Sequence, residues 1–149
     1  MKKVFALALA VVMAAAMFVG CGDKGMKDGT YKASFKNPSH GWTEYVELTV
    51  SGGKITDVDF DALNENGDRK SENEEYEQSM KDAECTTGPM EFYADYEKQL
   101  LEKQKADSID GIATAPHSGD NLKTLVKALE KNMAKGDTAE VIVDNAADE

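Results

Sequence analysis

The amino-terminal 20 residues constrain the chain most, because their pattern is that of a segment removed during export. Lys2 and Lys3 precede an uninterrupted apolar run over residues 4–19, and Gly20 stands directly before Cys21. A basic start, a short apolar stretch and a small residue at its end are typical of a signal peptide. The run is shorter than the roughly 20 residues that a membrane-spanning helix needs. We therefore expect residues 1–20 to be a cleaved signal peptide, with an uncleaved membrane anchor as the alternative.

The end of this segment resembles the lipobox of bacterial lipoprotein precursors. Phe18, Val19, Gly20 and Cys21 match its form, although Phe18 stands where that pattern usually has Leu. The resemblance implies that Cys21 is lipidated and that the acyl chain holds the protein at the extracytoplasmic face of the cell membrane. Residues 21–29 are small, polar and rich in Gly, which predicts a flexible lipidated tether.

The mature chain is short and acidic. Removing residues 1–20 leaves 129 of the 149 residues, the length of one domain, and losing Lys2 and Lys3 changes the net charge from −11 to −13. This charge opposes binding to nucleic acid and to anionic headgroups, which both require Lys and Arg. Cys85 is the one cysteine besides Cys21. With Cys21 lipidated, this leaves no pair of cysteines for a disulfide framework. We expect Cys85 to be a small buried side chain, with a reactive thiol as the alternative.

Three strands are predicted in the first half of the domain and one near its end. Residues 31–35 are β-prone, residues 46–50 alternate between apolar and polar, and Gly52 and Gly53 predict a hairpin turn before residues 54–60. On the returning strand one face carries Thr56, Val58 and Phe60. The opposite face carries Asp57, Asp59 and Asp61, and is expected to be wet and acidic. Residues 139–143 predict the last strand.

Three helices are predicted between residues 71 and 136. Ser71 and Glu74 have capping-box spacing for a short helix that ends near residue 82. Pro89 opens a second helix over residues 89–104. The third helix spans 119–134, with Ser118 or Asp120 as its N-cap and an apolar stripe of Leu122, Leu125, Val126, Leu129 and Met133. Together these elements predict an α+β fold over residues 30–144, a small antiparallel sheet packed on one face by two or three helices, followed by an acidic tail over 145–149.

Sequence spacing excludes several kinds of site. An EF-hand loop that begins at Asp57 would place Ala62 where Gly is required, so a solvated acidic face is favoured over a metal site. His40 and His117 lack the spacing of a zinc-binding helix, and no catalytic motif in the sequence joins either of them to an obvious nucleophilic Ser or Cys. We therefore predict neither a bound metal nor a hydrolase.

The loop that precedes the third helix contains the most informative residues. A Gly- and Ser-containing loop that leads into a helix offers free backbone N–H groups to a phosphate. Residues 110–122 also resemble the flavinylation loop of FMN-binding domains, which occur in sodium-pumping quinone reductases and in extracellular electron-transfer lipoproteins. The loop residues that match are Asp110, Ala115, His117, Ser118, Asp120 and Asn121. Further matches lie at residues 28–31, 39–42, 53–56, 100–104 and 136–138.

This chain departs from the family at the residue that carries the flavin. The family attaches FMN to a Thr hydroxyl, whereas this chain has Pro116 there and Ala113-Thr114 in place of Ser-Gly. Proline has no hydroxyl, so a phosphoester at that position is chemically excluded. Transfer to Thr114 or Ser118 would need a shifted register. The resemblance thus implies non-covalent FMN, with Thr114 among the binding residues and Trp42 and Tyr93 as stacking partners for the ring.

The function implied by this resemblance is electron relay outside the cell, with a membrane quinone-linked dehydrogenase as the kind of redox partner. A flavin-free lipoprotein that binds another small molecule or a partner protein is the alternative. A surface structural or immunogenic lipoprotein without a ligand is a third possibility. No pattern in the sequence indicates an enzyme that turns over a substrate by itself.

Overall fold

The structure is a computed structural model that describes residues 25–146. The predicted signal peptide, the lipidation site at Cys21 and the last three residues of the acidic tail lie outside the described residues. Within residues 25–146, no helix is both long and apolar enough to cross a bilayer.

Four strands form one sheet in the order β3-β2-β1-β4. They are β1 (Gly29–Phe35), β2 (Thr43–Ser51), β3 (Lys54–Leu63) and β4 (Val141–Val143). Strands β1, β2 and β3 pair antiparallel, and the β2–β3 hairpin turns through Gly52 and Gly53, which have φ values of 61° and 76°. Both values suit the tight turn that the sequence predicts.

The predicted α+β class is confirmed, but the sheet is mixed because β4 pairs parallel to β1. The reason lies in the connection before β4. The long third helix crosses one face of the sheet and returns the chain to the end where β1 begins, so β4 runs in the same direction as β1. Parallel neighbours require such a crossover.

Three α-helices and two short 3₁₀ turns complete the fold. The helices are α1 (Glu74–Asp82), α2 (Pro89–Lys103) and α3 (Pro116–Lys135), and the 3₁₀ turns cover Lys70–Glu72 and Ala106–Ser108. Pro89 occupies the first turn of α2 as predicted.

Two predicted helix starts are wrong. Helix α1 is capped by Asn73, whose side chain accepts a hydrogen bond from the Tyr76 N–H, and not by Ser71. Helix α3 begins at Pro116 with Ala115 as N-cap, instead of at Ser118 or Asp120. Proline favours the first helical position because its φ is already helical and it has no N–H to satisfy.

Helices α2 and α3 cover one face of the sheet and bury its apolar side chains. The predicted stripe on α3 is confirmed, since all five of its residues are buried: Leu122, Leu125, Val126, Leu129 and Met133. The two helices approach closely at Gly119, where an added Cβ would lie 2.5 Å from the Tyr96 hydroxyl oxygen. That hydroxyl donates to the Ala115 carbonyl at 2.8 Å and accepts from the Ile112 N–H at 2.8 Å. Tyr96 therefore fixes the loop that leads into α3.

The predicted wet face of β3 is partly covered. Asp57 is exposed, but Asp61 is fully buried beneath the 3₁₀ turn before α1. The Asp61 carboxylate accepts hydrogen bonds from the Arg69 Nε at 2.9 Å, from the Ser71 N–H at 3.1 Å and from the Ser71 hydroxyl. Arg69 also binds Asp59 at 2.7 Å. The acidic stripe is therefore a structural ion-pair network at one end and solvated at the other.

The other face of β3 also departs from simple alternation. A bulge between Thr49 and Val50 shifts the register, so that Val50 pairs with Ile55. As a result Ile55 is buried and Thr56 is exposed, while Val58 and Phe60 remain in the core. The prediction that Thr56 shares the apolar face is wrong, because a bulge inserts one residue and reverses the alternation.

The folded region extends beyond both of its predicted ends. Lys27, in the predicted tether, donates its backbone N–H to the Met133 carbonyl at 2.8 Å. Asn145, in the predicted tail, donates its side-chain amide to the Asn37 carbonyl at 2.9 Å and accepts from the Asn37 N–H at 2.9 Å. Both residues belong to the domain.

Candidate functional site

A cavity of about 300 Å³ opens where β1 ends, β2 begins and α3 begins. We call it the aromatic cavity and define it by Trp42, Tyr76 and Phe92 on its wall and by residues 114–118 at the start of α3. Its volume lies at the lower end of the range of about 300–1,000 Å³ for small-molecule sites.

The wall presents aromatic faces together with one cation. Trp42 and Tyr76 meet edge to face, with ring centroids 6.1 Å apart. The Lys70 ammonium lies 4.3 Å from the Tyr76 ring centroid and 5.9 Å from that of Trp42. The combination suits a flat ligand that carries negative charge, since rings stack on rings and the ammonium attracts an anion.

The start of α3 contributes backbone donors. Pro116 has no N–H, and the Gly119 N–H already binds the Ala115 carbonyl at 3.4 Å. Within residues 25–146, the N–H groups of His117 and Ser118 have no hydrogen-bond acceptor. Unpaired N–H groups at the positive end of a helix dipole attract phosphate or carboxylate groups.

Glu44 places a carboxylate beside this helix start. One carboxylate oxygen accepts from the Tyr93 hydroxyl at 2.9 Å and from the Ser118 hydroxyl at 2.5 Å, and the other accepts from the Asn121 amide at 2.6 Å. Burial and the neighbouring Glu44 charge raise the pKa of Tyr93 above its usual range. Tyr93 therefore stays a neutral donor, and three neutral groups hold Glu44 in place.

Six of the nine predicted cofactor-binding residues line the aromatic cavity: Trp42, Thr114, Ala115, His117, Ser118 and Asn121. Two of the hydroxyls already have partners inside the protein. The Thr114 hydroxyl pairs with that of Thr87, and the Ser118 hydroxyl donates to Glu44.

The other three predicted residues do not line the cavity. Asp110 forms an ion pair with Lys103 at 2.6 Å, which lowers the pKa of Asp110, and Asp120 points to solvent. Tyr93 is 2% exposed and its ring packs against Phe60 and Phe92. The prediction that Tyr93 stacks on a ligand is wrong, because it sits in the core; Trp42 and Tyr76 supply the accessible rings instead.

The sequence analysis did not identify four residues that line the cavity: Glu44, Lys70, Tyr76 and Phe92. Glu44 could have been identified, since it lies in the same alternating series as Val46 and Leu48, on the helix-facing side of β2. A carboxylate on a buried face is costly unless it has hydrogen-bond partners, so its presence there indicates a specific role. Lys70 and Tyr76 could not have been identified, because a lysine in a polar turn and a tyrosine in an acidic helix are ordinary surface residues.

The remaining candidates from the sequence lie elsewhere. Cys85 is half-buried, whereas the sequence predicts a buried side chain. Across residues 25–146, no cluster of His, Cys, Asp and Glu has the arrangement of a metal site.

Known proteins resemble the chain over most of its length, although no family model matches it. The crystal structure of the CPE2226 protein from Clostridium perfringens is 33% identical, covers 81% of this chain and 99% of its own, and superposes with a TM-score of 0.76. The 15 kDa lipoprotein of Treponema pallidum is 30% identical over 139 residues, which are 93% of this chain and 94% of that protein. The chain belongs to the family of this 15 kDa lipoprotein.

Proposed function

We propose that the protein is a surface lipoprotein, anchored through Cys21, whose aromatic cavity binds FMN non-covalently and relays electrons outside the cell. The observation that carries the proposal is the combination of Trp42, Tyr76 and Lys70 with the unpaired N–H groups of His117 and Ser118 in one cavity. FMN has a flat ring at one end and a phosphate at the other, so it needs both kinds of surface.

The residues of the cavity fit the two ends of FMN. The N–H groups of His117 and Ser118 would hold the phosphate, and the Lys70 ammonium would offset its charge. Trp42 and Tyr76 would contact the ring. Bound FMN accepts and donates electrons singly or in pairs, which suits a carrier between a membrane quinone-linked dehydrogenase and an external acceptor. The role of the chain is to bind and orient the cofactor.

Glu44 favours the second candidate function, which is a flavin-free binding lipoprotein. Its carboxylate lies beside the helix start, within 2.6 Å of the Asn121 amide nitrogen, and repels a phosphate placed nearby. The small cavity volume also favours a ligand smaller than FMN. A compact zwitterion would satisfy both Lys70 and Glu44.

Replacing Cys21 by Ala tests the anchor. We expect the precursor to remain unprocessed or the domain to leave the membrane fraction, because residues 25–146 contain no helix that could span a bilayer. Metabolic labelling with a radioactive fatty acid measures the lipid directly. Label that persists in the Cys21→Ala protein would show that the lipid is attached elsewhere.

Replacing Lys70 by Met tests the FMN site in the mature lipoprotein held in detergent. We expect FMN to bind about tenfold more weakly, since a hydrogen bond to a charged group contributes about 1.5–3 kcal/mol. Quenching of flavin fluorescence measures the dissociation constant. Lys98→Met is the matched control, because Lys98 is exposed on α2 and pairs with Glu102 away from the cavity. Equal affinities in the two variants, or no binding by the unaltered protein, would contradict the proposal.

Restoring the missing hydroxyl tests the family resemblance. Pro116 lines the cavity, so Pro116→Thr, combined with Ala113→Ser and Thr114→Gly, puts the flavinylation motif at the start of α3. Coexpression with a flavin transferase is expected to attach FMN covalently, seen as in-gel fluorescence and as a mass increase of one FMN less one water. The unaltered protein is expected to show neither. A folded variant that stays colourless would mean that the site has diverged from the family.

A further inference from the structure

A second concave surface lies at the opposite end of α3 from the aromatic cavity. Its floor is apolar and its rim carries three lysines. We call it the basic groove and define it by the floor residues Met26, Ile55, Val126, Met133 and Ala134 and the rim residues Lys105, Lys131 and Lys135.

The rim lysines of this groove carry charges that are available to an external anion. Lys105, Lys131 and Lys135 form no ion pair with any carboxylate of residues 25–146, and neither does Lys27, whose side chain lies against Gly136 at the same end. Three other lysines of residues 25–146 form no ion pair but do not line the groove: Lys54, Lys70 and Lys123. The remaining six pair with acids: Lys32, Lys36, Lys81, Lys98, Lys103 and Lys127.

The carboxylates near the groove do not cancel this charge. Asp107 forms an ion pair with Lys127, with 2.5 Å between the Nζ and Oδ1 atoms. Glu130 is the one acid of the lining that no lysine pairs with in the described structure. The lining therefore carries three lysines that form no ion pair and one such carboxylate, Glu130.

The chain leads from this end of the domain toward Cys21. The Lys27 N–H donates to the Met133 carbonyl at 2.8 Å, and the Tyr31 hydroxyl donates to the Lys27 carbonyl at 2.7 Å, so the chain leaves the domain at the groove. Cys21 is five residues before Met26. Even fully extended, five residues span only about 18 Å. A lipid on Cys21 therefore keeps the groove near the bilayer surface.

We propose that the basic groove is the membrane-facing surface of the anchored domain and docks on anionic phospholipid headgroups. The inference rests on the lipid anchor in the proposed function and is independent of FMN. The net charge of −13 does not prevent docking, because charges more than about 8–10 Å from the surface are largely screened at physiological salt. The nearby lysines then decide the interaction, and the apolar floor can contact the headgroup region.

This orientation directs the aromatic cavity away from the membrane. Helix α3 begins at the cavity and ends at the groove, and its 20 residues span about 30 Å. Docking through the groove thus leaves the cavity open to the exterior.

Lysine footprinting on vesicles tests the proposal with the full mature lipoprotein. The protein is reconstituted in phosphatidylcholine vesicles, with or without phosphatidylglycerol, and acetylated with a water-soluble amine reagent before mass spectrometry. We expect Lys105, Lys131 and Lys135 to react about fivefold more slowly on the anionic vesicles, the factor that corresponds to about 1 kcal/mol for each lysine near such a surface. High salt is expected to restore their reactivity. The exposed lysines Lys36, Lys81 and Lys98 serve as internal controls that react equally on both vesicles.

A charge-reversal variant gives a second readout. Combined Lys131→Glu and Lys135→Glu substitutions are expected to abolish the protection of Lys105, whereas Lys98→Glu leaves it intact. Equal reactivity of groove and control lysines on both vesicles would overturn the proposal. Protection that is the same on neutral vesicles and insensitive to salt would also overturn it, and would indicate that the protein's own acyl chain fills the groove.

Flotation of the same vesicles separates this inference from the proposed function. A protein that does not float with the vesicles refutes the anchor and the docking together. A protein that floats but shows no lysine protection refutes the docking alone. FMN titration of the floated sample reports on the cavity independently of both.

Discussion

Replacing Leu125 by Ala is expected to lower the free energy of unfolding by about 2–5 kcal/mol. Leu125 is fully buried in the middle of α3, where it packs against the sheet within the hydrophobic core. Truncation removes its apolar contacts and leaves a cavity that neighbouring side chains, themselves held in a close-packed core, fill only in part. Chemical denaturation of the mature protein, followed by circular dichroism, measures the loss.

Lys127 provides the matched control, two residues further along the same helix. Its side chain is half exposed and forms a surface ion pair with Asp107, and such pairs contribute little to stability. Lys127→Ala is therefore expected to cost only a small fraction of the Leu125→Ala effect. Comparable losses in the two variants would show that the wrong face of α3 has been assigned to the core.

Replacing Asp61 by Ala is expected to lower the free energy of unfolding by about 3 kcal/mol, the lower end of the cost of removing one partner of a buried ion pair. Asp61 is 0% exposed and accepts from the Arg69 guanidinium and from both the N–H and the hydroxyl of Ser71. Its loss leaves these donors without an acceptor below the 3₁₀ turn. Arg69 keeps its bond to Asp59, which limits the cost.

Asp57→Ala is the control for this prediction, because Asp57 lies on the same strand but is exposed. Its effect is expected to stay below about 0.5 kcal/mol. We also expect Asp61→Ala to loosen the start of α1, detected as faster amide hydrogen exchange over residues 70–76. Unchanged stability of the Asp61 variant would mean that the network is incidental to the fold.

The elements with strong local signals could be predicted from the sequence. Gly52 and Gly53 set the hairpin, Pro89 set the start of α2, and the apolar stripe from Leu122 to Met133 identified the buried face of α3. Each depends on residues close together in the chain. The parallel pairing of β4 depends on where α3 returns the chain, and the burial of Ile55 depends on a bulge, so neither could be inferred from alternation alone.

The site was predictable only where its residues follow one another. The loop residues from Thr114 to Ser118, which lie in the segment that the sequence singles out, line the cavity. Lys70 and Tyr76 come from the segment around α1, which reaches the cavity only through tertiary packing. The prediction that Tyr93 contacts a ligand was wrong, because helical spacing does not distinguish an aromatic side chain in the core from one that lines a cavity.

The most direct test of the central claim is the visible absorbance of the lipoprotein purified from its native membranes. The proposal predicts the spectrum of oxidised flavin, and predicts that acid precipitation releases this flavin into the supernatant as FMN, because Pro116 offers no hydroxyl for covalent attachment. A protein that is colourless as purified, and that stays colourless after incubation with FMN and gel filtration, would contradict FMN binding. Flavin that remains with the precipitate would contradict the non-covalent attachment.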